Sequence, residues 1–518
     1  MKSKSFRLAL TGLFLLLFSF PVKAQNKEKV MQDSLLLYNK LLSPKQLNRD
    51  LRLLLDIRRK ANSGLLRYRS EKQLDSLYNW AFDEVRKPLR IIDFYKIMLQ
   101  LADFEGSVHN YTEVDSGVLS FLKRQKSFFP YPLIYIDGQI IFDGQDAPVP
   151  VGSRIMSVNG ISAVNLMQSF YKYYPADGFT VTKKRSASVD RSFGLNYLLE
   201  YGLSDTYQVE YIPPNNNATK KITLPAVSLD QRTENVKKRY SAGVNDLIDY
   251  KTQEPYSFKM VRPSVAVLNL RWFGMVTGEE DPGFKVYVRF LDRVFNEIHN
   301  KNVTNLIIDI RNNPGGSDPT FEQPVRYLTD HSFKENIRAN IIFDPDSLPY
   351  EEYFWGVSTS APMDSISLRM GKRFLKERFP VHSRGVSYQN QKYNPVYDPK
   401  SPAFNGNIYL LVNENVASAA SHFASLVKAY AKNVTVVGVE TVGGYYVHNG
   451  HSPLVYELPE SKIKTQFSIV YVVQDAPEKP DQPEGRGIIP DYEVWPTLPD
   501  FFRHRDTQLE FVLGLIAE

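Results

Sequence analysis

Two places in the chain put polar side chains and permissive backbone where an apolar run ends. The first is Leu306-Ile307-Ile308-Asp309-Ile310-Arg311-Asn312-Asn313-Pro314-Gly315-Gly316. Two glycines after a buried strand let backbone N–H groups face a ligand with no Cβ in the way. Such donors suit a developing oxyanion, and a plain turn is the other reading. The second is Tyr409-Leu410-Leu411-Val412-Asn413-Glu414-Asn415-Val416-Ala417-Ser418-Ala419-Ala420-Ser421-His422-Phe423. A helix opens near Ser418, with Phe423, Leu426, Val427 and Tyr430 on its core side. A serine at that position is either an N-cap or a nucleophile. In the second case the positive helix end eases its alkoxide and the Ala419 N–H points at the same oxygen.

A serine nucleophile needs a base, and several histidines compete for that role. His422 lies one helical turn past Ser418 and could meet it at i,i+4, although an exposed or capping histidine is the simpler reading. His448 and His451 sit in a Gly/Asn-containing loop and are further candidates. His299, at a helix end before Asn300, reads as a surface residue near the favourable dipole. Asp309 reads as an anchor for the glycine loop. The chain has no HExxH pattern and no cysteine cluster, so neither a metal nor an organic cofactor is implied.

The elements that must position these residues fall into three textures. Residues 27–108 are helical, with apolar clusters at Leu35–Leu37, Leu51–Leu55 and Ile97–Leu101 among charged residues. From about Phe128 short strands take over: Leu133–Ile136 and Ile140–Phe142 flank Asp137-Gly138, a dipeptide suited to a hairpin turn with positive φ. The strand Ile155–Val158 runs into Asn159-Gly160, Tyr207–Ile212 is another strand, and 213–250 reads as linker plus helix. The last half alternates strand and helix. Strands are expected at Val265–Leu270, Leu306–Ile310, Ile408–Val412 and Val434–Gly438, with a helix carrying Tyr287, Leu291, Val294, Phe295 and Ile298 after the first. That pattern predicts an α/β layer architecture. Residues 331–403 interrupt it with an aromatic-rich insert that reads as a packed cover and, placed directly after the glycine segment, as a candidate lid.

At 518 residues the chain is long enough for two or three domains, and 43% hydrophobic with 23% charged residues is ordinary globular composition. The net charge of +6 does not signal nucleic acid: Lys2, Lys4, Arg7 and Lys23 account for all of it but +2. Those four lie in a stretch built like a secretion signal. A basic start precedes the apolar run Leu8–Phe20, and Val22-Lys23-Ala24 places small residues before Gln25. The expectation is a signal peptide at 1–24, a periplasmic or secreted product, and no membrane span after cleavage. With no cysteine, neither disulfides nor a lipidated N-terminal Cys is expected.

Taken together, the two junctions resemble the C-terminal processing protease and tricorn-like family of serine peptidases. The match rests on Asp309-x-Arg311-x-Asn313-x-Gly315-Gly316, on Ser418-Ala419 with Phe423, on Val437-Gly438-Val439-Glu440-Thr441-Val442-Gly443, and on Glu484-Gly485-Arg486-Gly487-Ile488-Ile489-Pro490-Asp491. The Ile155–Gly160 strand and turn look like the PDZ-type module that many members carry. The resemblance implies a ClpP/crotonase-like α/β catalytic domain at 226–518 with the insert, a PDZ-like β module at 116–225, and an N-terminal helical domain at 25–115. It implies Ser418 as nucleophile, with Ala419 N–H and a Gly315 or Gly316 N–H as oxyanion donors.

The processing-protease branch takes its base from a lysine after Thr-x-Gly, and here that place reads Gly444, with no lysine before Lys462. The tricorn-like branch uses a histidine N-terminal to the PDZ-like module, which implies His109 in Phe104-Glu105-Gly106-Ser107-Val108-His109. That branch adds a serine beside the histidine, for which Ser107 would substitute at Val108. It also adds a late glutamate, for which Glu484 comes before Glu440. The expected function is an exported serine peptidase acting on peptide or protein substrates through an acyl-enzyme. The alternative from another class is a catalytically silent peptide-binding protein that keeps the fold.

Overall fold

The computed structural model describes residues 32–189, 192–214, 216–240, 254–317 and 319–516. The expected signal segment at 1–24 and part of the 213–250 stretch lie outside them. The protein is a mixed α/β fold in which several sheets share the chain.

The largest α/β layer is a six-stranded sheet in the order Tyr256–Arg262, Val265–Leu270, Asn305–Asp309, Asn407–Val412, Val434–Gly438, Tyr492–Glu493. All neighbours except the first pair run parallel. Strand alternation decides both faces. Leu268, Leu306, Ile308 and Leu410 point into one core with Leu291, Val294, Phe295, Phe423 and Val427 of the crossover helices Pro282–Asn300 and Ala419–Tyr430. Val265, Val267, Ile307, Leu411 and Val437 face the other way, against Val512 of the C-terminal helix Thr507–Leu515. Parallel neighbours in register, with Asn269 opposite Asp309 and Asp309 opposite Leu411, bring the strand ends that carry the two polar junctions side by side.

The β module is an antiparallel sheet of Leu133–Ile136, Gln139–Phe142, Arg154–Val158, Thr206–Ile212 and Lys220–Pro225, with the short strand Ile161–Ser162 paired to the third, over a separate core of Phe129, Phe142, Leu166, Phe170, Phe193 and Tyr207. The turn at Asp137 and Gly138 has φ of 51° and 75°, and that at Asn159 and Gly160 has 49° and 78°, as the dipeptides require. The Lys220–Pro225 strand was not legible, because Pro213-Pro214 and three asparagines before it carry a linker signal.

Helices Pro44–Ala61 and Glu71–Glu84 open with Ser-x-x-Gln capping boxes at Ser43/Gln46 and Ser70/Gln73. Their apolar faces do not form an isolated bundle. Leu51, Leu54, Ile57, Phe94 and Met98 pack in one cluster with Leu454, Tyr456, Phe467 and Ile469, and also with Ala339, Ile341, Leu375 and Phe379 of the 331–403 insert. Insert strand Asn336–Ile341 pairs with Val386–Tyr388 and Tyr471–Gln474, so the insert is built into the sheets.

Arg58, fully buried, ties this cluster to the site. Its guanidinium lies 3.2 Å from Glu105, donates to Thr465 Oγ1 at 2.7 Å and covers the Phe467 ring at 4.2 Å. Replacing Arg58 by Leu strands the buried Glu105 carboxylate. A loss of about 3–5 kcal/mol in unfolding free energy is expected by urea denaturation, and an unchanged midpoint would show that the pair contributes nothing.

Candidate functional site

The two junctions are laced together by asparagines, of which the sequence singled out only Asn313, as part of the family pattern. Asn312, at φ 61°, accepts from Asn413 Nδ2 and Asn415 Nδ2 at 2.8 Å each, and its own N–H donates to Asn413 Oδ1 at 2.9 Å. Asn313 Nδ2 donates to the Leu270 carbonyl at 2.9 Å, and the Ala417 N–H donates to the Asn313 carbonyl at 3.2 Å. The available signal was a run of amide side chains after each of two adjacent strands. Asp309 holds Arg311, which also reaches Asp506 at the cap of the C-terminal helix, so the acid anchors the glycine loop. The facing carboxylates hold the Arg311 guanidinium well above its usual range against the cost of burial.

Ser418 sits just before the Ala419–Tyr430 helix with φ 54° and ψ −129°, a backbone state rare for a residue with a side chain. Its side chain caps nothing, which sets aside the N-cap reading. The strand–strained turn–helix arrangement thrusts the hydroxyl out of the turn. The segment around it leaves no spare room. A Cβ on Gly315, at φ 102°, would stand 2.7 Å from Ser418 Cβ and 2.9 Å from the Ala419 nitrogen, and one on Gly443 would stand 3.2 Å from the Ser418 nitrogen. The Gly315 N–H is already engaged by Asn313 Oδ1 at 2.9 Å, which corrects its expected role as a donor: this glycine is there for close approach. The amides of Gly316 and Ala419 have no protein acceptor among the described residues.

His109 lies 309 positions from Ser418 in the chain, and its Nε2 is 3.2 Å from Ser418 Oγ. A tight turn carries it. Asn110 Nδ2 donates to Glu105 Oε2 at 2.7 Å and to the Ala102 carbonyl at 3.0 Å, closing residues 105–110 on the end of the Ile91–Phe104 helix. The next residues, Tyr111–Glu113, form a strand paired with Lys464–Ser468, and Tyr95 OH holds the Thr112 carbonyl at 2.9 Å. Burial pushes the His109 imidazole below its ordinary value, opposed by the nearby Asp177 charge. A neutral ring accepts from the Ser418 hydroxyl in the tautomer protonated on Nδ1, an atom buried with no hydrogen-bond partner among the described residues.

The other expected partners fall elsewhere. Glu484 is exposed and makes no hydrogen bond to His109 among the described residues. Glu440 is buried but held by Arg486, Thr180 Oγ1 and the Gly487 N–H. Ser107 Oγ accepts from the His109 N–H at 3.4 Å and does not meet the ring. His422 is buried, neither exposed nor capping: its Nε2 lies 2.6 Å from the Glu335 carbonyl, and its i,i+4 link to Ser418 is the helix backbone bond alone. His448 is buried with its ring 5.3 Å from that of His422 and no contact to Ser418 among the described residues, while His451 pairs with Glu335 at 2.9 Å. His299 is exposed. At Gly444 a Cβ would meet the Val447 carbonyl at 2.6 Å and Tyr68 OH at 3.3 Å, so packing leaves no space for a lysine there. Lys462 is on the surface beside Glu457.

Residues 282–494, which hold both junctions and the loop after them, match the model for Peptidase family S41. This segment carries the pattern of peptidase family S41. No curated protein matches it by sequence. Among solved structures it is similar to mature CPAF complexed with lactacystin, at 15% identity and a TM-score of 0.58 over 92% of this chain and 98% of that one. A second structure of mature CPAF gives 15% identity and a TM-score of 0.54, covering 88% and 94%. The photosystem II D1 C-terminal processing protease gives 13% identity and 0.36, covering 87% and 92%. The family match over residues 282–494 identifies the activity as that of a serine peptidase, a hydrolase of peptide or protein substrates. Among its described residues no helix is long and apolar enough to cross a membrane, and no group of three or more His, Cys, Asp or Glu is placed to hold a metal ion.

Proposed function

We propose that this S41 peptidase is exported and cuts peptide bonds with Ser418 as nucleophile and His109 as general base. The observation that carries the reading is the 3.2 Å approach of His109 Nε2 to Ser418 Oγ, on a serine held in a strained turn. In the step inferred, Ser418 Oγ attacks the scissile carbonyl carbon while its proton passes to His109 Nε2. The carbonyl oxygen takes up the electron pair beside the Ala419 and Gly316 amides and the positive end of the Ala419–Tyr430 helix. Collapse expels the amine, which receives the proton from His109, and leaves an ester on Ser418. Water activated by His109 then releases the acid and regenerates the serine.

Export rests on the basic–apolar–small pattern of residues 1–24, which places the product in the periplasm or outside the cell. The β module at 116–225 is read as PDZ-like, offering a sheet edge to an extended peptide. The test is labelling of the full mature chain with a fluorophosphonate, read by peptide mass spectrometry. Label on the peptide containing Ser418, absent in Ser418→Ala, is expected. A folded protein that takes no label between pH 5 and 9 would overturn the reading in favour of a silent peptide binder.

A further inference from the structure

We propose that Asp177 is a positioning residue for His109: its buried carboxylate ties the histidine turn to the loop beside Ser418 and brings a negative charge to the amide next to His109. This rests on the reading of Ser418 and His109 given above and names the acid that neither Glu484 nor Glu440 supplies.

The geometry is specific. Asp177 is 1% exposed. One carboxylate oxygen accepts from the Val108 N–H at 2.9 Å, the amide directly before His109, and the other accepts from the Gly444 N–H at 2.9 Å. Arg67 stands 3.6 Å away and reaches the Gly106 carbonyl at 2.9 Å and Asn449 Oδ1 at 3.1 Å. The segment carrying Asp177 comes from the β module and is stitched on both sides. Its Asp177 N–H donates to the Val442 carbonyl, the Gly178 N–H to the Gly106 carbonyl and the Phe179 N–H to the Gly485 carbonyl. A buried carboxylate is tolerated only where hydrogen bonds and charge satisfy it. Here its partners are the backbone on either side of the candidate dyad.

Charge separates this role from a structural tie. Burial, His451 and Arg67 all disfavour a proton on His109, and His448 faces it as well; Asp177 opposes them. When His109 takes the Ser418 proton it becomes a cation in a buried site, and Asp177 stabilises that cation without touching Nδ1. Because Asp177 belongs to the β module, docking of that module sets the base of the peptidase site.

The test is the pH dependence of fluorophosphonate labelling at Ser418 in the full chain, for the unaltered protein, Asp177→Asn and Arg67→Gln, each checked by thermal unfolding. Asp177→Asn is expected to slow labelling at pH 7 by about tenfold, the factor one unit of pKa carries, and to move its acid limb to lower pH. Arg67→Gln removes a cation, so its limb is expected to move to higher pH. A rate lowered uniformly, with the limb in place, marks a structural tie and overturns the proposal. If Asp177→Asn does not fold, Arg67→Gln decides alone: an unmoved or lowered limb overturns it. A different failure, in which His109→Ala labels as fast as the unaltered chain, removes the Ser418–His109 reading itself.

Discussion

Replacing His109 by alanine is expected to slow both labelling of Ser418 and peptide hydrolysis by about 10³-fold or more, within the range measured for loss of a general base. The reason is local. A serine hydroxyl is a weak nucleophile until its proton has somewhere to go, and in the proposed mechanism His109 Nε2, 3.2 Å away, accepts it. Its neighbours do not stand in. Burial pushes His422 down to about 4, and its Nε2 faces the Glu335 carbonyl, while His448 has no contact with the serine among the described residues. His422→Gln is therefore expected to retain labelling. The unaltered chain should also show an acid limb below the ordinary imidazole value of about 6.5. Burial lowers the His109 pKa, so the neutral, proton-accepting ring persists as the pH falls, and reactivity is lost only at the lower value. A limb above 6.5, or a His109→Ala protein that keeps its rate, would remove His109 as the base.

Gly315→Ala should be nearly as damaging, for a steric reason. At φ 102° any side chain is strained, and the added Cβ would lie 2.7 Å from Ser418 Cβ, 2.8 Å from the Ala417 carbonyl oxygen and 2.9 Å from the Ala419 nitrogen. Two of those three are backbone atoms of the turn that carries Ser418, so the turn must move. A displacement of about 1 Å in a reacting group costs on the order of 10²-fold, and that is the loss expected in labelling rate. Gly371→Ala, in a helix with open space at the Cβ position, is the control and is expected to leave labelling unchanged. Equal rates for both variants would show that the Gly315 approach does not hold Ser418.

Much of the α/β layer was legible because its strands are buried on both faces and therefore read as unbroken apolar runs. Val265–Leu270 and Val434–Gly438 stand where the sequence put them. The strand Lys220–Pro225 escaped, since only Leu224 of its six residues is buried and the linker signal of Pro213-Pro214 stands before it. The 331–403 insert reads as a separate cover because its aromatic content contrasts with its flanks. Its partners, Tyr471–Gln474 and the N-terminal helices, lie far away in the chain, so pairing could not be read locally.

The same division holds at the site. The sequence by itself determined the local chemistry: two glycines after one strand, a serine opening a helix after the next, and the close approach that both demand. Such features depend on neighbours in the chain and on backbone rules that hold anywhere. The family resemblance implied His109 among several histidines, but which groups stand beside Ser418 is a matter of the tertiary structure. His109 arrives from 309 residues away on a turn closed by Glu105 and Asn110, and Asp177 comes from a different module. Glu484, the first choice for a supporting glutamate, is exposed, and Glu440, the second, is held by Arg486. Charge and hydrogen-bond partners are settled by distance in space, and where the chain crosses between sheets and modules, position along it carries no measure of that distance.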